Sequence, residues 1–198
     1  MPFETFSNEL NRALGGGFSY GMSMIFGGRR SGKTTMAIDL VGRYLRQPDS
    51  KRVVVLAPFL EDWQKTLEEF GGEKIRLAHN VSHTRGTNRE ITIAEVTAQT
   101  DGRGTYYVGE RPFSLAEVVM PDSATIFLSP ELVGSTRSYN AVVQLAEFNQ
   151  IYTAKILKNR GGPHAEFNIT RREILEEDRV NDASSLDAIL GDEFDIFE

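Results

Sequence analysis

The sequence contains no cysteine. Disulfides, a thiolate zinc site and a cysteine nucleophile are therefore excluded, and the composition fits a reducing compartment. No apolar run approaches the roughly eighteen residues that a membrane-spanning helix needs. The first residues, Met1-Pro2-Phe3-Glu4, also lack the basic-then-apolar order of a signal peptide. A cytoplasmic protein with no membrane contact is the expectation. Positive charge is in short supply too, with 22 Lys and Arg against 28 Asp and Glu, a net charge of −6. That deficit is not spread evenly. From Glu173 to Glu198 there are ten acids against the single Arg179, whereas the preceding residues carry 21 bases against 18 acids, or +3. The body is mildly basic and the tail strongly acidic, so overall acidity does not exclude a nucleic-acid partner. With 198 residues, 40% of them apolar, the chain can bury the core of one domain, expected over residues 1–172, followed by a flexible tail over 173–198.

Against these absences stands one complete motif. Met22-Ser23-Met24-Ile25-Phe26 reads as a buried strand, and Gly27-Gly28-Arg29-Arg30-Ser31-Gly32-Lys33-Thr34 fits the G-x-x-x-x-G-K-[ST] pattern of a phosphate-binding loop. From Thr35 onward, Ala37, Leu40, Val41, Tyr44 and Leu45 share one face of a helix. Glycines let backbone N–H groups turn inward around a polyphosphate, and the start of the helix adds its positive dipole end to the same anion. This predicts an ATP cradle of Gly27 through Thr35, with Lys33 on the β- and γ-phosphates and the Thr34 hydroxyl on Mg²⁺.

In chain order, Phe3 to Leu14 predicts a short amphipathic helix stopped by Gly15-Gly16-Gly17. Lys51 to Pro58 is a uniformly apolar second strand, as a doubly covered parallel sheet requires. Glu61 and the helical segment Asp62–Phe70 follow, and then a short strand, Ile75-Arg76-Leu77-Ala78. Leu10 to Gly21, leading into the apolar strand and its phosphate loop, resembles the start of the nucleotide-binding core of RecA-type ATPases. That group includes recombinases and the DnaB-type replicative helicases. The resemblance implies an α/β RecA-like P-loop NTPase core with a mostly parallel central sheet flanked by helices, ending in a β-hairpin and the acidic tail. It also implies a role for Glu61 in orienting the attacking water. In the family an apolar strand ending in Asp, the Walker B carboxylate, comes next, and Ala78 to Arg89 has no room for one. His79 and His83 lie within this segment and lack a third metal ligand.

Glu90 to Gln99 alternates as a strand and resembles the family strand whose terminal Gln, here Gln99, senses the γ-phosphate. The glycine-rich segment Thr100 to Pro112 then stands where the family places its loop for single-stranded DNA. Arg103 and Arg111 are the candidates for phosphate neutralisation there, and Tyr106 and Tyr107 for base stacking. Ser114 and Glu117 form a capping box for a short helix. Ser123 to Leu128 predicts a strand, and Ser138 to Phe148 a helix that packs through Ala141, Val142, Leu145, Ala146 and Phe148. Ile151 to Ile169 predicts two strands around an Asn-Arg-Gly-Gly-Pro turn. They resemble the terminal hairpin of replicative helicases and RadA-like proteins, whose Lys-x-Arg pair, here Lys158 and Arg160, reaches the nucleotide of a neighbouring subunit.

The resemblance covers roughly residues 10–172. It implies Mg-ATP binding, assembly into a ring or filament, and coupling to single-stranded DNA in replication or recombination. The small size, without a primase or N-terminal helicase domain, resembles phage-encoded versions. The acidic tail with interleaved aromatics resembles segments that dock on replication proteins and order on binding. Two other readings fit parts of the sequence. One is a viral DNA-packaging terminase or superfamily 2 helicase, suggested by the phosphate loop and the Val53-rich strand. The other is a degenerate, non-hydrolysing adaptor, suggested by the missing Walker B residue.

Overall fold

The apolar runs of the sequence become strands of one sheet because each is buried on both faces, which only a sheet covered on both sides can satisfy. The computed structural model describes residues 2–81, 90–100, 105–120, 122–148, 151–160 and 166–169. The acidic tail, Arg103, His83 and the hairpin turn at 161–165 lie outside the described residues. Ser7 caps the first helix, α1 (Asn8–Ala13), by accepting a hydrogen bond from the Leu10 N–H. A bridge between Phe3 and Phe18 then closes the N-terminal segment beneath β1 (Gly21–Phe26). There follow α2 (Lys33–Leu45), β2 (Val53–Leu56), a 3-10 turn (Glu61–Trp63), α3 (Gln64–Phe70), β3 (Ile75–Ala78) and β4 (Ile91–Glu95). Next come β5 (Ala98–Thr100), β6 (Thr105–Val108), β7 (Arg111–Ser114), α4 (Leu115–Val118) and β8 (Ala124–Ser129). A second 3-10 turn (Thr136–Ser138), β9 (Ala141–Phe148), β10 (Ile151–Asn159) and β11 (Glu166–Ile169) complete the described elements.

The main sheet has eight strands in the order β11-β10-β9-β1-β8-β4-β2-β3. From β9 to β3 all pairings are parallel, while β10 and β11 add antiparallel edge strands. Successive side chains alternate between two buried layers. Ile25, Val53, Val55, Ile93, Ile126 and Val143 pack against α1 and α2 and against Trp63. Met24, Val54, Leu56, Phe127 and Val142 face the other way, toward Tyr106, Val108, Phe113, Val118 and Tyr139. The small antiparallel sheet β5-β6-β7 supplies part of that second cover. Along β1, Gly21 to Phe26 pairs in register with Ala124 to Ser129 of β8, and β8 in turn separates β1 from β4.

Three expectations change. The segment from Ser138 is not helical: it forms the 3-10 turn and then β9, which pairs with β1 from Ser23↔Ala141 to Phe26↔Gln144. Val142 and Val143 bury on opposite faces, one in each layer. Position beside the central strand decides here over the helix-forming Gln, Leu, Ala and Glu that surround them. Secondly, the strand expected from Glu90 to Gln99 ends at Glu95, and Gln99 belongs to β5, paired with Tyr106 across the small sheet. Finally, residues 105–112 of the expected loop belong to the β6–β7 hairpin, which closes with Thr105 opposite Ser114.

Candidate nucleotide-binding site

β1 delivers the chain to the C-terminal edge of the parallel sheet, where a tight loop turns it back into α2. Gly27 has no alternative, because a Cβ there would stand 2.0 Å from the Leu145 carbonyl oxygen of β9. Gly32 sits at φ 87° at the N-terminus of α2, a left-handed conformation suited to glycine. Arg30 holds φ 66°, which a side chain adopts only under constraint. Arg29, Arg30 and Thr35 are exposed at this edge, Gly32, Lys33 and Thr34 half-buried and Ser31 buried. A cavity of about 400 Å³ lies beside the loop, lined by Gly27, Gly28, Ser31, Glu131, Gln144 and Glu147 among others.

Lys33 Nζ donates to the carbonyls of Gly27 and Gly28, both at 2.8 Å, and to Ser31 Oγ at 3.3 Å. The ammonium thus lies folded over the loop, at the place where the backbone geometry invites an anion. Burial pulls the Lys33 pKa below its ordinary value, and the negative charge of Glu95 acts the other way.

Glu95 is the residue that sequence reasoning missed. It ends β4, at the same sheet edge as the phosphate loop, with β8 intervening between β4 and β1. Its carboxyl accepts a hydrogen bond from the Trp63 indole N–H at 3.2 Å, and the nearby Thr34 hydroxyl lowers its pKa. Burial raises the Glu95 pKa above the usual carboxylate range, and Asp62 adds to this, while Trp63, Thr34 and Lys33 pull it down. The apolar run Ile91-Thr92-Ile93-Ala94 ending in an acid was the available signal. Extending the strand to Gln99 concealed it. An acid faces the threonine of the phosphate loop after all, as a glutamate rather than the expected aspartate.

The remaining expected residues distribute as follows. Glu61 and Asp62 are exposed in the 3-10 turn after β2, and Asp62 is the one whose charge acts on Glu95. Tyr106 is 5% exposed, with its ring against Phe113 and Phe127, and so cannot offer a face to a base. Its expected stacking role is corrected on that ground. Tyr107 is half-buried and Arg111 exposed on the same hairpin. His79 places Nδ1 3.1 Å from the Ala57 carbonyl oxygen.

Lys158 and Arg160 lie away from the loop. Arg160 N donates to Asn140 O, and Asn140 N donates to Met22 O. Arg160 therefore stands level with the start of β1, roughly 13 Å down the strand from Phe26 at about 3.3 Å per residue. Arg160 Nη1 donates to Asn140 Oδ1 at 3.2 Å, and Asn140 Nδ2 donates to Tyr20 O at 2.6 Å. Lys158 Nζ donates to the carbonyls of Thr136 and Arg137, both at 2.8 Å. An open cleft of about 680 Å³, lined by Tyr20, Lys51, Asp122, Ser138, Asn140 and Arg160 among others, occupies this opposite edge.

No protein-family model and no curated protein sequence matches the chain. Among solved structures, it is similar to a DnaB-like replicative helicase described with its interactions with primase, at TM-score 0.56 and 12% identity. That alignment covers 86% of this chain and 59% of the helicase chain. It is also similar to a second solved structure, described as an ATPase domain, at TM-score 0.54 and 13% identity, covering 85% of this chain and 87% of that one. This chain thus spans less than two thirds of the first of these. The fold is RecA-like, an α/β core with a mostly parallel central sheet. No helix among the described residues is long and apolar enough to cross a membrane.

Proposed function

We propose that the chain is a Mg-ATP-dependent ATPase of RecA/DnaB type, assembling head to tail into a ring or filament and coupling nucleotide state to single-stranded DNA in replication or recombination. The observation that carries this reading is the meeting of Lys33, Thr34 and Glu95 at one sheet edge, where the Glu95 carboxyl is under the influence of both the Thr34 hydroxyl and the Lys33 charge. An intact phosphate loop facing a half-buried carboxylate is the donor set that a magnesium nucleotide requires. The acid at this edge favours hydrolysis over a non-hydrolysing adaptor, the reading suggested by the missing Walker B residue.

On ATP binding, Lys33 exchanges the carbonyls of Gly27 and Gly28 for phosphate oxygens, and the N–H groups of the loop close around them. Thr34 and Glu95 would hold Mg²⁺, which neutralises charge on the β- and γ-phosphate oxygens when bound. Glu61, or its neighbour Asp62, orients and deprotonates the attacking water. Arg160 and Lys158, far from the loop of their own subunit, act on the nucleotide of the next, where a guanidinium stabilises charge on the transferred phosphoryl group. Gln99, at the base of the hairpin beyond Glu95, senses the γ-phosphate and passes the signal to Tyr107, Arg111 and Arg103, which contact DNA. The acidic tail docks a replication partner.

The test is steady-state ATP hydrolysis with and without single-stranded DNA, for the wild type beside Lys33→Ala and Arg160→Ala. DNA-stimulated turnover that disappears in both variants supports the reading. Tight ATP binding without turnover under any condition returns the adaptor.

A further inference from the structure

The sequence contains one tryptophan, Trp63, and it is the largest fully buried side chain among the described residues. It closes the 3-10 turn that follows β2, with its backbone N–H on the Leu60 carbonyl at 3.0 Å, and leads directly into α3. Its ring belongs to the layer between the sheet and the helices, where close packing leaves a large aromatic little rotamer freedom. From this fixed position Nε1 donates to Glu95 Oε1 at 3.2 Å. A buried indole N–H and a half-buried carboxylate each need a partner, and here each supplies the other's need.

We propose that Trp63 is a positioning residue: through its indole N–H it holds one oxygen of the Glu95 carboxylate, orienting the group toward Thr34 and the cation side of the phosphate loop. The inference rests on the placement of Glu95 at the metal side argued above. Thr34 stands at the start of α2 and Trp63 in the β2–α3 connection, two elements that pack on the same face of the sheet, and the indole N–H is the donor within hydrogen-bond distance of the carboxylate. Asp62, beside Trp63 in the same turn, repels this carboxylate. Without the indole N–H, that repulsion and the half-buried setting favour a rotation of the carboxyl away from Thr34. Orienting partners of this kind set metal affinity more than they set nucleotide affinity.

Trp63→Phe keeps most of the ring and deletes the donor. In Trp63→Phe the Mg²⁺ concentration giving half-maximal hydrolysis is expected to rise by about 10- to 100-fold. Affinity for a fluorescent ATP analogue in EDTA stays within about twofold of wild type, because the loop's N–H groups are untouched. A purely structural tryptophan would leave the Mg²⁺ dependence unchanged, and that result in a variant of native circular dichroism overturns the proposal. The second measurement needs no turnover. The single indole N–H gives one cross-peak in a ¹⁵N–¹H spectrum of the full chain. That peak is expected to move on Glu95→Gln, and in the wild type on adding Mg²⁺ with a non-hydrolysable ATP analogue. A peak indifferent to both also overturns the proposal, and it decides the matter if Trp63→Phe fails to fold. Absent hydrolysis with a responsive peak sinks the enzyme reading while keeping the positioning role.

Discussion

The setting of the Glu95 carboxyl works against its charged form. Burial is the largest influence on its carboxyl and lifts its pKa, with Asp62 adding to the lift, against the pull of Trp63, Thr34 and Lys33. A carboxyl whose pKa is raised in the folded state favours folding while protonated. That contribution is complete below the ordinary carboxylate range and is lost as pH rises through the raised value. At neutral pH, without nucleotide or divalent cation, the ionised form therefore strains the fold. Glu95→Gln should raise the melting temperature of the nucleotide-free protein at pH 7, with the gain vanishing on acidification, while cutting Mg-ATP hydrolysis by about 100-fold or more. Thermal melts across pH beside turnover assays check both halves. Glu90 is the opposite case. Burial acts against its charge, but the hydroxyls of Tyr20 and Tyr44 and the Lys51 ammonium outweigh burial and hold its carboxyl below the ordinary range. Its contribution is present above that range and is lost as pH falls through the lowered value. Tyr44 donates to Glu90 at 2.8 Å and accepts from Lys51 N at 2.6 Å. Tyr44→Phe should thus cost about 1–3 kcal/mol at neutral pH, read by denaturant unfolding.

At the scale of elements, the phosphate loop shows why some of this fold was legible and some was not. The loop, α2, β1, β2 and β8 carry their own local signals: glycine spacing, a one-sided apolar helix, and apolar runs of strand length. β9 carries none, because its Ala141-Val142-Val143-Gln144-Leu145-Ala146 fits a helix as well as a strand until β1 stands beside it. β4 was legible as a strand, but its end was not. Whether Glu95 or Gln99 closes the sheet edge depends on where Val96 and Thr97 turn the chain into the second sheet. Tyr106 looked available because a glycine-rich segment says nothing of what covers it. Placement beside β9 also explains Gly27 beyond its motif. Gly27→Ala would drive a methyl against the Leu145 carbonyl, so the loop and β9 must part. The expected cost is about 2–4 kcal/mol of stability together with loss of ATP binding, measured by denaturant unfolding and nucleotide titration.

For the whole molecule, the parallel sheet gives the core two unlike edges. One bears Lys33, Thr34 and Glu95; the other bears Arg160 and Lys158, braced by Asn140 and by the carbonyls of Thr136 and Arg137. Edges that differ and complement each other build heterologous, head-to-tail contacts, which close into rings or run on as filaments. If Arg160 serves the next subunit's nucleotide, each active site is shared, and two defects in different chains need not fall in the same site. Lys33→Ala and Arg160→Ala, each inactive alone, should then regain activity when mixed in equal amounts and reassembled. A random assembly gives any site an intact loop half the time and an intact neighbouring arginine half the time, so about a quarter of wild-type turnover should return. An arginine acting on its own subunit predicts no recovery, because every chain in the mixture would still lack one of the two groups. Turnover plotted against mixing ratio should therefore peak near equal proportions, and a flat line at zero would mean that Arg160 acts within its own subunit.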